Sequence, residues 1–128
     1  MDTKTTEGVK VTVTTNYLPD YSSPVQQHYV FAYKISIENI SEFTVKLLRR
    51  HWYIHDATGV VREVEGEGVV GQQPVLEPGE SHEYVSGCNL KTGLGKMRGT
   101  YLMERLVDGK KFDVTIPEFN LIVPYKLN

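Results

Sequence analysis

An all-β chain folded as an antiparallel β-sandwich of roughly seven or eight strands is what this sequence predicts, on three observations. Apolar and polar residues alternate with a period of two over Gly8 to Thr15 and, more fully, over Gln26 to Asn39. Asp108-Gly109 separates two further runs of this kind and is a tight-turn signal, because both residues tolerate the positive φ that a short hairpin demands. No segment makes a convincing helix; over Thr44 to Asp56 a helix is the rival reading, and a strand is preferred because Val45, Trp52, Tyr53 and Ile54 are β-type residues.

In chain order, Val9, Val11 and Val13 alternate with Lys10, Thr12 and Thr14, which places one face of the first strand in a core. Asn16 to Pro24 collects proline, asparagine, aspartate and serine and reads as a surface loop. Tyr29, Phe31, Tyr33, Ile35 and Ile37 then form one apolar row, each worth ~1.5–3 kcal/mol if fully buried. Over Thr44 to Asp56, Leu48, Trp52 and Ile54 share a face with Arg50, while Val45, Leu47, Arg49, His51, Tyr53 and His55 take the other. Aspartate, threonine and glycine at 56, 58 and 59 turn the chain back into Val60 to Val64, a predicted hairpin.

Arg62 to Cys88 is loop-rich and predicts the crossing between sheets, with a short strand over Ser81 to Cys88. Cys88 to Gly99 is too glycine-rich for a helix. Met97 to Val107 and Lys111 to Ile116 form the hairpin around Asp108-Gly109. Pro117 interrupts, Phe119 to Val123 makes a last strand, and Pro124 closes it as suits an edge.

With 128 residues the chain fits one domain, residues 1–128, since domains cluster at ~100–150 residues. The formal charge of −2 gives no basic excess for releasing counterions from a phosphate backbone, so nucleic-acid binding is not expected. A single cysteine, Cys88, excludes an internal disulfide and a multi-thiolate zinc site, and reads as a half-buried side chain. Tyr29 to Tyr33 is the longest apolar run, far short of the ~20 residues that cross a bilayer. No membrane insertion is expected, and the cytoplasm is the expected location.

Gly66-Glu67-Gly68-Val69-Val70-Gly71 spells GxGxxG, a pattern that in dinucleotide-binding folds lets backbone amides approach a pyrophosphate at a helix N-terminus. Here two β-branched valines stand where the helix would begin, and Pro74 follows. Two readings remain: glycines that permit positive φ or close backbone approach as the chain changes sheets, and an anion-binding concavity made of Gly66, Gly68, Val69, Val70 and Gly71 amides.

His51 and His55 lie on one face of a strand about 13 Å apart, too far to share a zinc ion without help from His28, His82 or Asp56. Glu63, Glu65 and Glu67 line one side of their strand as weak candidates for Mg²⁺ or Co²⁺. No resident cofactor is expected. No nucleophile and base stand together, so a binding protein is expected rather than an enzyme.

Arg50-x-Trp52-x-Ile54-x-Asp56-x-x-Gly59, the run Val64 to Pro74, Leu76-Glu77-Pro78-Gly79-Glu80, Tyr84-x-Ser86, Leu90-x-Thr92 and Gly95-Lys96-Met97-Arg98-Gly99-x-Tyr101 together resemble the bacterial ApaG family over nearly the whole chain. The resemblance implies a fibronectin type III-like sandwich of the immunoglobulin-like kind. It also implies a family label of cobalt and magnesium resistance or efflux, and a gene that neighbours a diadenosine tetraphosphate hydrolase. Similar domains in eukaryotic F-box proteins and in a polymerase-interacting protein act as interaction modules, which implies binding to a protein partner. Strand edges offer a route to such a partner or to a homodimer, and a phosphate-containing ligand at the glycine loop is the alternative.

Overall fold

The computed structural model describes residues 1–127. It contains β1 (Asp2–Thr6), β2 (Val9–Tyr17), β3 (Tyr29–Asn39), β4 (Val45–Asp56), β5 (Val61–Glu67), β6 (Val75–Leu76), β7 (Ser81–Leu90), β8 (Leu94–Arg105) and β9 (Lys110–Ile122). One sheet is ordered β1-β2-β3-β7, and the other β5-β4-β8-β9 with β6 also pairing β4. Every pairing is antiparallel, and the two layers form the expected sandwich. Short 3₁₀ turns at Pro19–Tyr21, Pro24–Gln26 and Pro124–Leu127 are the helical segments among the described residues.

Each layer contributes an apolar row to the gap between them. Val9, Val11, Val13, Phe31, Tyr33, Ile35, Ile37, Cys88 and Leu90 face Val45, Leu47, Trp52, Ile54, Met97, Tyr101, Met103, Val114, Ile116, Phe119 and Leu121, all buried. Trp52 sits among Tyr33, Phe119 and Tyr101, with ring centroids 5.4, 5.9 and 6.5 Å away in edge-to-face arrangements. This geometry suits the positive ring edge against the negative face.

Two bulges correct the expected alternation. The β4 row is not Leu48 with Trp52 and Ile54: the register slips between Leu47 and Arg49. Leu48 is the extra residue, so Val45 and Leu47 enter the core on the same face as Arg50, Trp52 and Ile54. Likewise Pro117 does not divide two strands. β9 runs through it, because the register shifts between Met97 and Gly99 and places Pro117-Glu118 opposite Arg98 alone. A bulge is where a residue without an N–H costs the ladder least.

Other differences have local causes. Asp2–Thr6 forms a strand too polar to be recognised by alternation, joined to β2 by Glu7-Gly8, both at positive φ. Val75–Leu76 is too short to show a period. The glycine-rich run from Cys88 to Gly99 is mostly strand, with only Lys91 to Gly93 left as the β7–β8 turn. The crossing between sheets is made at Glu77 to Glu80, not at the glycines of 66–71.

Asn39, fully buried at the end of β3, holds that crossing. Its Nδ2 donates to the carbonyls of Phe43 (2.7 Å) and Leu76 (2.9 Å), and its Oδ1 accepts from the Ser41 amide (3.0 Å) and hydroxyl (2.7 Å). Its backbone amide donates to Glu80 O, and its carbonyl accepts from Gly79 N. Asn39→Ala takes the side-chain donor from the buried Leu76 carbonyl and one of two donors from Phe43 O, whose other donor is the Ser41 hydroxyl, and is expected to cost about 1–3 kcal/mol in chemical denaturation. Asn39→Asp should recover little of it, since a carboxylate cannot donate to those carbonyls.

Candidate functional site

The two long sides of the sandwich differ. On one, the outer strands β1 and β9 lie against each other, stitched by Thr115 N donating to Thr6 Oγ1 (3.3 Å) and by a Lys110–Glu7 ion pair (3.3 Å). On the other, β7 and β5 are each paired along one edge only. That second side is a mouth into the sandwich.

Hydrogen-bond phase decides what the β7 edge offers. Asn39 N donates to Glu80 O, and with the unbroken β3–β7 register this turns the amides and carbonyls of His82, Tyr84, Ser86, Cys88 and Leu90 toward β3. The corresponding groups of Ser81, Glu83, Val85, Gly87 and Asn89 therefore face outward. Asn89 O is already taken, accepting from Arg62 Nη2. The rest form an open template in a strand without proline and with a single carboxylate, Glu83, paired to Lys34 at 3.4 Å. By contrast β5 carries Glu63, Glu65 and Glu67 along its edge, and Glu67 O accepts from Arg50.

Behind this opening Tyr33 and Tyr101 are buried, Tyr84 and Arg50 are half-buried, and Arg62 is exposed at the rim. Tyr84 and Tyr101 share a hydroxyl–hydroxyl hydrogen bond of 2.5 Å across the gap between layers. Burial pushes both phenols above the usual range; the Tyr101 hydroxyl partly offsets this for Tyr84, whereas the neighbouring Tyr84 adds to it for Tyr101. Burial also raises Tyr33, with the Ser86 hydroxyl opposing. Burial raises the Cys88 thiol, against the pull of the Arg62 guanidinium 3.8 Å away. This thiol is a packed side chain, not an activated nucleophile.

Arg50 shares the inward face of β4 with Trp52 and Ile54, and Gly66 lies directly across on β5. A Cβ at Gly66 would come within 2.8 Å of the guanidinium, so glycine makes room for it. Arg50 Nη1 donates to the carbonyls of Glu67 (3.0 Å) and Gly68 (3.1 Å). From the other side, Leu48 O accepts from Gly68 N and Gln73 Nε2, both at 2.9 Å. The bulge and the arginine together pin the glycine loop.

No helix begins at Val69. Val69 and Gln72 exchange backbone bonds (2.8 and 3.0 Å) around a tight turn with Val70 at φ 47° and Gly71 at φ 76°. Among the described residues the Val70 and Gly71 amides have no acceptor, whereas those of Gly68 and Val69 are engaged. Positive φ is unfavourable for a β-branched residue, and Val70 is 63% exposed, so little packing offsets it. Gly68, at φ 63°, would place a Cβ 2.2 Å from Gln72 O. Gly68→Ala is expected to lower stability by about 2–3 kcal/mol, and Val70→Gly to leave it unchanged or raise it by up to about 1 kcal/mol, in denaturant titrations.

The outer face of β4 and β5 gathers other residues singled out from the sequence. His51 stacks on Tyr53 (4.5 Å), with its Nδ1 3.0 Å from Glu65 Oε1 and its Nε2 3.8 Å from Glu63 Oε2. Glu67 lies across from Arg49. His55 accepts from Arg98 Nε (3.2 Å). Asp56 is committed to the β7–β8 turn, accepting from Lys91 N (2.8 Å) and Thr92 Oγ1 (2.6 Å). Burial would raise its pKa, but these bonds and the amides of Thr58 and Ala57 outweigh it and lower it. His82 lies near one end of β7, and His28 precedes β3 near the other. Among the described residues no three histidine, cysteine or acidic side chains converge as a metal set.

Residues 19–105 match the ApaG domain family model. The chain is 52% identical over 126 residues to Protein ApaG of Paramagnetospirillum magneticum, covering 98% of this chain and 96% of that one. It is 51% identical over 128 residues to Protein ApaG of Anaeromyxobacter dehalogenans, covering all of both. This chain belongs to the ApaG domain family. A crystal structure of a Bordetella pertussis protein named ApaA superposes with a TM-score of 0.88 at 49% identity, covering 91% of this chain and 94% of that one. The ApaG identity thus extends to the fold, and the ApaG relatives named here are bacterial.

Reading residues singly missed Arg50, Arg62 and the Tyr84–Tyr101 pair of this ApaG chain. The available signal was an arginine in an otherwise apolar row. Because the buried phenols have folded pKa values raised above the ordinary ~10, their contribution to stability is complete below that pH and is lost as pH rises. Melting temperature should fall steeply between about pH 10 and 12. Tyr101→Phe, which leaves Tyr84 without its partner, should lower the melting temperature at neutral pH and flatten that alkaline decline.

Proposed function

We propose that this ApaG chain is a non-enzymatic binding module of the bacterial cytoplasm that works through a protein partner. Any bearing on cobalt or magnesium resistance is then indirect, exerted by the partner. The open β7 edge carries the reading: it offers main-chain donors and acceptors in a row, which is how an added strand is bound. The edges of β1, β9 and β5 are covered or acidic by comparison.

A phosphate-containing ligand at the glycine loop is the second reading, supported by the two amides of Val70 and Gly71 that lack acceptors. Glu65 and Glu67 oppose it electrostatically. The experiment is capture from a native bacterial lysate, reconstitution with the purified partner, and amide exchange on the complex. Outward amides of Glu83, Val85 and Gly87 are expected to exchange fast in the free chain and at least tenfold slower in the complex, about 1.4 kcal/mol of protection. A chain recovered alone, whose Val70 and Gly71 amide resonances move on titration with pyrophosphate, would transfer the function to the loop.

A further inference from the structure

The side chains around the β7 edge specify more than an edge. A strand added to β7 extends its sheet over the mouth, and alternate side chains of that strand point inward. Arg62 stands there beside Cys88 and Asn89. Arg50 lies on the inward face of neighbouring β4, opposite Gly66, which is four residues along β5 from Arg62, and its charge is felt by Tyr33 and Tyr84.

Among the described residues neither arginine has a carboxylate within 4 Å; the carboxylates that close to a basic side chain lie instead beside Lys34, His51, Lys96, Arg105 and Lys110. Arg50 and Arg62 bond to carbonyls, with the Cys88 sulfur also near Arg62. Glu63, Glu65 and Glu67 lie on the outer face of their sheet, and Glu83 on the outer row of β7. Asp56 is the acid nearest this rim, across a small recess lined by Arg62, Asn89 and Lys91, and both of its oxygens are already hydrogen-bonded. Lys91 adds a third cation there. The mouth is a basic strip beside an open strand edge.

We infer that the occupant of the β7 edge is an extended acidic segment of another protein, pairing its backbone with Glu83, Val85 and Gly87 and turning a carboxylate inward to Arg50 or Arg62. Arg50 and Arg62 face positions 66 and 54 in the β4–β5 register, so acidic residues four apart in the segment meet both. Arginine forks suit such carboxylates, and excluding water strengthens the pair. Half-exposed Val64 lies on the inward row of β5 and Val85 on the outer row of β7, so each face of the added segment meets a valine that favours β-branched neighbours.

This inference rests on the proposed binding function, and its test separates the two. A phage-displayed random decapeptide library is panned against the full chain, and the strongest sequence is titrated as a synthetic peptide against three proteins: wild type, Val85→Pro and Arg62→Glu. Val85→Pro removes an outward N–H while leaving the β3 ladder its bonds, and thermal melting confirms the fold. Arg62→Glu, on the exposed rim, supplies an independent variant should the proline destabilise the strand.

Selected peptides are expected to be acidic at alternate or i, i+4 positions, and each variant is expected to weaken Kd about tenfold or more. Neutral or basic selected peptides, or binding unchanged in both variants, overturn the inference while leaving a binding module in place. A dimer of the chain alone that Val85→Pro abolishes assigns the edge to a second copy and likewise overturns it. Enrichment of no peptide removes the inference, and with an empty lysate capture it removes the binding function too.

Discussion

Both layers must keep an unbroken apolar row facing the gap between them, and this requirement shapes the rest of the molecule. Where β4 and β9 would lose phase, an extra residue at Leu48 and the Pro117-Glu118 pair restore it. Arg50 alternates in phase with Trp52 and Ile54 beyond the bulge and so points inward with them, and a guanidinium on a core-facing row must find acceptors. The carbonyls of Glu67 and Gly68 supply them, which draws the glycine loop over the arginine. The glycines serve close approach and positive φ, and the GxGxxG spacing reflects that packing with no helix behind it.

The same constraint makes the sides of the sandwich unequal. β1 and β9 close one side through Thr6, Thr115, Glu7 and Lys110, whereas β7 and β5 remain apart. Asn39 fixes where the chain crosses from β6 to β7, and so fixes β7 as the last strand of its sheet. An open edge in a soluble domain is ordinarily a liability, managed by charge, proline or a bulge. β5 carries three glutamates; β7 carries no such row and borders two arginines that, among the described residues, have no carboxylate within 4 Å.

The outer face of the second sheet follows a different logic. His51, Tyr53, His55, Arg98, Glu63 and Glu65 form a network of stacking and polar contacts in which His51 Nδ1 lies 3.0 Å from Glu65 while its buried Nε2 has no hydrogen-bond partner among the described residues. Their β geometry holds them at strand spacing on a face with two hollows, one beside His51 and Glu65 and one beside Tyr53 and Arg98. Individually exposed pairs of this kind contribute little to stability, on the order of 0–1 kcal/mol.

By itself the sequence determined the two-layer β architecture, the core rows of β2 and β3, the existence of a hairpin at Asp108-Gly109 and family membership, because period-two alternation, turn chemistry and ordered motifs are local signals, although that hairpin closes through the four residues Leu106 to Gly109 with positive φ at Gly109 and not at Asp108. It placed the glycines and glutamates on the chain but not their neighbours. Only the tertiary structure decided the face of Val45 and Leu47, the unbroken course of β9, the polar strand β1, and the meeting of Arg50, Arg62 and Tyr84 at one mouth. The physical reason is that bulges, edge order and hydrogen-bond phase arise when one strand pairs with another distant in the chain, and no window of consecutive residues contains that partner.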